Sequence, residues 1–158
     1  MFRLLLTLIS VGLFLNLSFA EGIKINAKSF KAYGESKVSY RGDVKVSIGN
    51  RGELTCDILT AYLDDKGNVK KVEANGHVRY SDGIYTVVGK KAEYDPIKGL
   101  VIFTGNVVVK TKSGILMGDK AVFNLKTKKF KMFSKERVKA VFKIQKKANG
   151  REKKDSAG

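Results

Sequence analysis

Chemistry at a protein site needs reactive side chains that can converge, and this chain of 158 residues offers few. His77 is its one histidine and Cys56 its one cysteine, so neither a histidine-rich zinc site nor an intramolecular disulfide can be assembled. Cys56 alternates with polar neighbours in Leu54-Thr55-Cys56-Asp57-Ile58, which reads as a small buried apolar side chain rather than a reactive thiol. His77 follows Gly76 as Asn106 follows Gly105. That equivalence suggests a residue that opens a strand, not a general base. Asp64-Asp65 could supply paired carboxylates, but neighbours along a strand point to opposite faces, and Lys66-Gly67-Asn68 marks a solvated turn. Gly83 to Lys91 resembles a phosphate loop only superficially: five residues separate Gly83 from Gly89 where the motif has four, and Lys91 stands where Ser or Thr should meet magnesium. No serine elbow or calcium loop occurs. The expectation is a protein that is not an enzyme and carries no cofactor or metal.

Binding is the chemistry that remains. Lys and Arg number 31 against 15 Asp and Glu, a formal charge of +16, and such a field attracts anionic partners: nucleic acid, acidic membranes or phosphorylated glycolipids. Lys129-Phe130-Lys131-Met132-Phe133 interleaves aromatics with cations, as base-stacking surfaces do. Its strict alternation fits a strand with Phe130 and Met132 facing a core better.

The elements that must position these residues are strands. Beyond Glu21 the apolar positions recur with period two, as in Val44-Lys45-Val46-Ser47-Ile48 and Val138 to Ile144, and one proline, Pro96, interrupts them. Turns rich in glycine, Asp, Asn and Ser follow at Asn50-Arg51-Gly52, Asp65 to Asn68, Ser81-Asp82-Gly83, Ile97-Lys98-Gly99 and Lys112-Ser113-Gly114. The pattern predicts an all-β, antiparallel domain. A repeat is superimposed on it: Gly42-Asp43-Val44, Gly76-His77-Val78, Gly105-Asn106-Val107 and Glu136-Arg137-Val138 place valines 34, 29 and 31 residues apart. Midway lie Thr60-Ala61-Tyr62, Ala92-Glu93-Tyr94 and Ala121-Val122-Phe123, each putting a small residue and an aromatic on one strand face. Such periods suggest stacked units of about four short strands, burying a shared interior.

The ends differ. Met1-Phe2-Arg3, the apolar run Leu4 to Leu17 and Ser18-Phe19-Ala20 follow the grammar of a cleaved secretory signal, which predicts export and disfavours nucleic acid as a partner. Residues 1–20 are expected to be removed, residues 21–145 to form one domain, and residues 146–158 to be a basic disordered tail.

The order of these motifs resembles the OstA-like family of lipopolysaccharide-transport proteins, which includes LptA, LptC and the N-terminal domain of LptD. Ala92-Glu93-Tyr94-Asp95 through Gly105-Asn106-Val107, and Gly114 through Ala121-Val122-Phe123-Asn124, carry it most clearly. It covers roughly Ile23 to Ile144, and Glu136-Arg137-Val138 departs from Gly-x-Val. The resemblance implies an open two-sheet β-jellyroll built from repeated short antiparallel strands. It implies a periplasmic protein that binds lipopolysaccharide through lipid A between the sheets. It also implies edge-strand partners, LptC-like and LptD-like jellyrolls, or copies of the same chain stacked end to end. Ile23-Lys24-Ile25-Asn26 and Val138 to Ile144 are the candidate docking edges. A membrane-anchored LptC-like component is the alternative, and a basic β-domain binding another anionic polymer is a further one.

An acyl chain of a dozen carbons gains roughly 10 kcal/mol on leaving water, and only a continuous apolar lining offers that. Period-two alternation assigns this lining, from the first strands, to Val44, Val46, Leu54, Cys56, Ile58 and Tyr62. Mid-chain it assigns Val78, Tyr80, Val87, Tyr94 and Phe103. Towards the C-terminus it assigns Val107, Val109, Met117, Phe123, Met132, Ala140 and Phe142. Arg79 and Lys110 are expected at the rim, facing headgroup phosphates.

Overall fold

The computed structural model describes residues 23–48 and 52–144. The expected signal peptide, the basic tail and most of the turn at Asn50-Arg51-Gly52 lie outside them. Ten strands follow: β1 (Ile23–Asn26), β2 (Ser29–Tyr33), β3 (Lys37–Ile48), β4 (Gly52–Leu63), β5 (Val69–Ser81), β6 (Thr86–Asp95), β7 (Leu100–Lys110), β8 (Gly114–Asn124), β9 (Lys129–Phe133) and β10 (Lys139–Phe142). No helix occurs among the described residues. Neighbours pair antiparallel in the order β1-β3-β4-β5-β6-β7-β8-β10, with β2 on β3 and β9 on β8.

One sheet becomes two because every long strand bends at the same place. The registers shift between Arg41 and Val44, Thr55 and Ile58, Asn75 and Val78, Val88 and Lys91, and Thr104 and Val107. These irregularities line up across the sheet and divide it into two leaves. The first holds β1, the segments Val44–Ile48, Gly52–Cys56, Val78–Ser81, Thr86–Gly89, Val107–Lys110 and Gly114–Gly118, and β10. The second holds β2, the remaining halves of β3 to β8, and β9. The architecture is an open two-leaved jellyroll.

The Gly-x-Val repeat is this bend. Gly42, Gly76 and Gly105 have φ of 83°, 80° and 84°, and Asp43, His77 and Asn106 follow at 44°, 47° and 48°. Asp, His and Asn are the side-chain-bearing residues that tolerate left-handed backbone best, which explains the middle residue of each motif. Two residues of β3, β5 or β7 then oppose one of its neighbour, Asp57, Lys90 or Asp119, as in a β-bulge. His77 therefore sits mid-strand, correcting the expectation that it opens one. Each repeat unit is two long bent strands, which accounts for the four short ones inferred from the period. At the ends the chain crosses the bend differently: Ala27-Lys28 and Ser134–Val138 lie between strands, so Glu136-Arg137-Val138 occupies the bend line as a connector.

Candidate functional site

The two leaves turn their apolar faces towards each other. Val44, Val46, Cys56, Leu59, Ala74, Val78, Val87, Ala92, Phe103, Val107, Val109 and Ala121 form one buried cluster drawn from both leaves. Half-buried Leu54, Tyr80, Val101, Leu116 and Phe123 extend it. Ile25 and Tyr40 continue it towards one lateral edge, and Phe130 and Met132 towards the other. Rings join the leaves at the side away from the bend: Tyr85, in the β5–β6 turn of the first leaf, packs edge-on against Phe123 of the second at 6.2 Å. Phe123 also meets Phe103 at 5.8 Å and Phe130 at 4.7 Å. Every strand pairing among the described residues runs along the sheet and none joins leaf to leaf. Side-chain packing alone holds the leaves shut away from the bend.

Most expected lining residues face this interior: Val44, Val46, Leu54, Cys56, Val78, Tyr80, Val87, Phe103, Val107, Val109, Phe123 and Met132. Tyr94 shares their face through its pairing with Val72 and Val101. Three do not. Ile58 pairs with Arg41 and Asn75, and Tyr62 with Lys37 and Lys71, on the outer face, where Leu59 and Ala61 turn inward instead. Met117 pairs with Val108 and is exposed, while Leu116 faces in. The cause is the bend: β4 and β8 cross it with a single residue, Asp57 or Asp119, opposite two on the neighbouring strand. That reverses their alternation, so a period-two count carried across it lands on the wrong face. Phe142 and Ala140 pair with Gly114 and Leu116 at the open edge, and Phe142 remains 63% exposed. Leu59, Leu116 and Val101 were missed for the same reason or because their neighbours are equally apolar.

Lys110 ends β7 at the rim, exposed and paired with Thr86 and Ile115. Arg79 corrects the rim expectation: it pairs with Thr55 and Val88 on the outer face, one residue from the bend.

Residues 24–152 match the family described as LptA/(LptD N-terminal domain) LPS transport protein. The chain belongs to this family. Among solved structures it is similar to LptH, the LptA homologous periplasmic component of the conserved lipopolysaccharide transport device from Pseudomonas aeruginosa. The TM-score is 0.70 at 19% identity, covering 79% of this chain and 97% of that one. No curated protein matches the chain in sequence.

Among the described residues of this LptA/LptD-N family member, the titratable groups lie outside the apolar interior or are silenced in it. His77 Nδ1 donates to Asp57 Oδ2 at 2.7 Å on the exposed outside of the bend, and that carboxylate raises the imidazole pKa above 6.5. The Cys56 thiol donates to the Ile58 carbonyl at 3.5 Å. Burial, reinforced by the Asp57 charge, pushes its pKa to about 11, so it stays protonated and unreactive. The Tyr80 hydroxyl donates to Asp82 at 3.2 Å, and burial with that charge raises it to about 12. On the outer face Tyr62 donates to Glu73 at 3.4 Å. Lys71 reaches Glu73 at 2.7 Å and Glu93 at 3.9 Å, and Lys91 reaches Glu93 at 3.0 Å. Hydrogen bonding from Lys71 holds Glu73 below the usual carboxylate range. These ion pairs are half-exposed and contribute little to stability; they keep the outer face polar.

Proposed function

We propose that this protein carries lipopolysaccharide through the periplasm, holding the acyl chains of lipid A between its two leaves. It passes them along a bridge of jellyrolls joined edge strand to edge strand. The observation that carries the reading is a continuous apolar interior drawn from two leaves that share hydrogen bonds only along the sheet. Hinging the leaves apart breaks no ladder. It exposes apolar side chains, and acyl chains replace that burial at about 0.8 kcal/mol per methylene. Membership of a lipopolysaccharide-transport family supports the cargo, and the LptH likeness supports the fold. No step requires catalysis, because loading and release exchange one apolar environment for another. Export by a cleaved signal at residues 1–20 is part of the proposal. N-terminal sequencing of the exported protein tests it, a start at Glu21 excluding a retained anchor.

Photo-crosslinking amino acids test the cargo. Placed at Phe123 and Tyr94 they should form adducts with purified lipopolysaccharide, and placed at Ile58 and Tyr62, on the outer face, they should not. Adducts should persist at high salt, because apolar burial is not screened. Equal labelling at all four positions, or labelling abolished by salt, would favour a basic surface binding anionic polymers.

A further inference from the structure

Two neighbouring turns at the rim of the second leaf form one composite tip. They are Pro96–Gly99, between β6 and β7, and Leu125–Lys128, between β8 and β9. Leu125 N–H donates to the Gly99 carbonyl at 2.8 Å, and Lys126 Nζ donates to the Ile97 carbonyl at 2.9 Å. The tip presents Ile97 and Leu125 to solvent, 73% and 54% exposed, flanked by Lys98 and Lys128.

Six of its backbone N–H groups are already satisfied from within. Asp95 Oδ1 accepts from Ile97 and Lys98 at 2.9 and 3.0 Å, and Asn124 Oδ1 accepts from Lys126 and Thr127, both at 3.0 Å. Gly99 N–H donates to the Asp95 carbonyl, and Pro96 has no N–H to satisfy. Leaving water is costly when backbone groups lose their partners, and these six donors keep theirs. The one carboxylate in the tip, Asp95, is turned onto these amides. Among the described residues, the other rim turns lack this combination. Ile84 is also exposed, but it stands beside Asp82 without a neighbouring lysine in its turn, and the β4–β5 turn begins Asp64-Asp65.

We propose that this tip is a membrane-docking surface: Ile97 and Leu125 enter the interface of an anionic phospholipid bilayer while Lys98 and Lys128 meet its headgroups. Two weak signals, apolar side chains and cations, together give reversible attachment where either alone gives little. The inference does not depend on the leaves holding lipid, since Ile97 and Leu125 are exposed and belong to neither the buried cluster nor the residues packed against it.

The chain contains no tryptophan, so a single introduced indole reports its own surroundings. Ile97→Trp and Leu125→Trp, made separately in the full chain, are mixed with vesicles of phosphatidylethanolamine and phosphatidylglycerol carrying brominated acyl chains. Ile84→Trp serves as the comparison. Blue-shifted, bromine-quenched emission from the first two, but not from Ile84→Trp or with phosphatidylcholine alone, is the expected result. Adding Lys98→Gln or Lys128→Gln should lower partitioning about fivefold each. Absence of quenching at both tip positions, or equal quenching at all three, overturns the assignment. So does quenching that appears only when lipopolysaccharide is included, which would return the signal to the interior. Crosslinking to lipopolysaccharide at Phe123 should be unchanged in the lysine variants, separating failure here from failure of the carrier reading.

Discussion

At the bend, single residues decide whether the strand can turn. Gly105 has a left-handed backbone, and a Cβ there would lie 2.7 Å from the Lys90 Cβ, so alanine meets both torsional strain and a clash. Gly105→Ala should destabilise the fold by about 1–3 kcal/mol in urea unfolding. Asn106→Gly, one residue on at φ 48°, should change stability by no more than a few tenths. Equal effects would mean that the bend does not depend on Gly105. The His77–Asp57 pair has a pH signature. Because the folded pKa is raised above 6.5, its small contribution is in place below pH 6.5 and is lost as pH rises through the raised value. The His77 ring should titrate above 6.5 by NMR and return towards it in Asp57→Asn.

Between elements, the governing contrast is in how strands and leaves are held. Within a leaf, ladder hydrogen bonds run without a break from edge to edge, whereas between leaves only side chains meet away from the bend. Tyr85 is the turn residue whose ring crosses to Phe123, and such a pair contributes about 0.5–1.5 kcal/mol beyond area burial. Tyr85→Ala should therefore lower unfolding free energy by about 1 kcal/mol and speed uptake of a fluorescent acyl probe. Lost stability with unaltered uptake would show that the leaves do not part at this side.

At the scale of the whole sheet, closure is incomplete among the described residues: β1 and β2 at one side, and β9 and β10 at the other, each pair with a single strand. Ile23, Phe30, Phe133, Val141 and Phe142 are exposed along these edges. Unpaired edges with apolar side chains invite strand addition. Sedimentation should show the mass of the unmodified protein rising with concentration, and Ile23→Lys or Phe142→Lys should each hold it monomeric. Mixing the two variants, each with one intact edge, should give dimers and nothing longer. Association unaffected by either change would place self-assembly elsewhere.

Alternation, turn chemistry and the Gly-x-Val spacing were enough to determine strands, their antiparallel order and an apolar interior, because each is a local consequence of backbone geometry. On β3, β5 and β7 the bend contributes two left-handed residues, so the count from Tyr40 to Val44, Ala74 to Val78 and Phe103 to Val107 keeps its parity, and the inward residues were legible. On β4 and β8 the single residues Asp57 and Asp119 reverse it, which is why Ile58, Tyr62 and Met117 were misplaced. Only the tertiary structure decided that the irregularities of all six long strands align into one fold line. That alignment depends on pairing between strands far apart in the chain, and no local period encodes it. The stapling of Ile97 and Leu125 into one tip was likewise settled by contacts between turns 29 residues apart, which sequence spacing leaves unspecified.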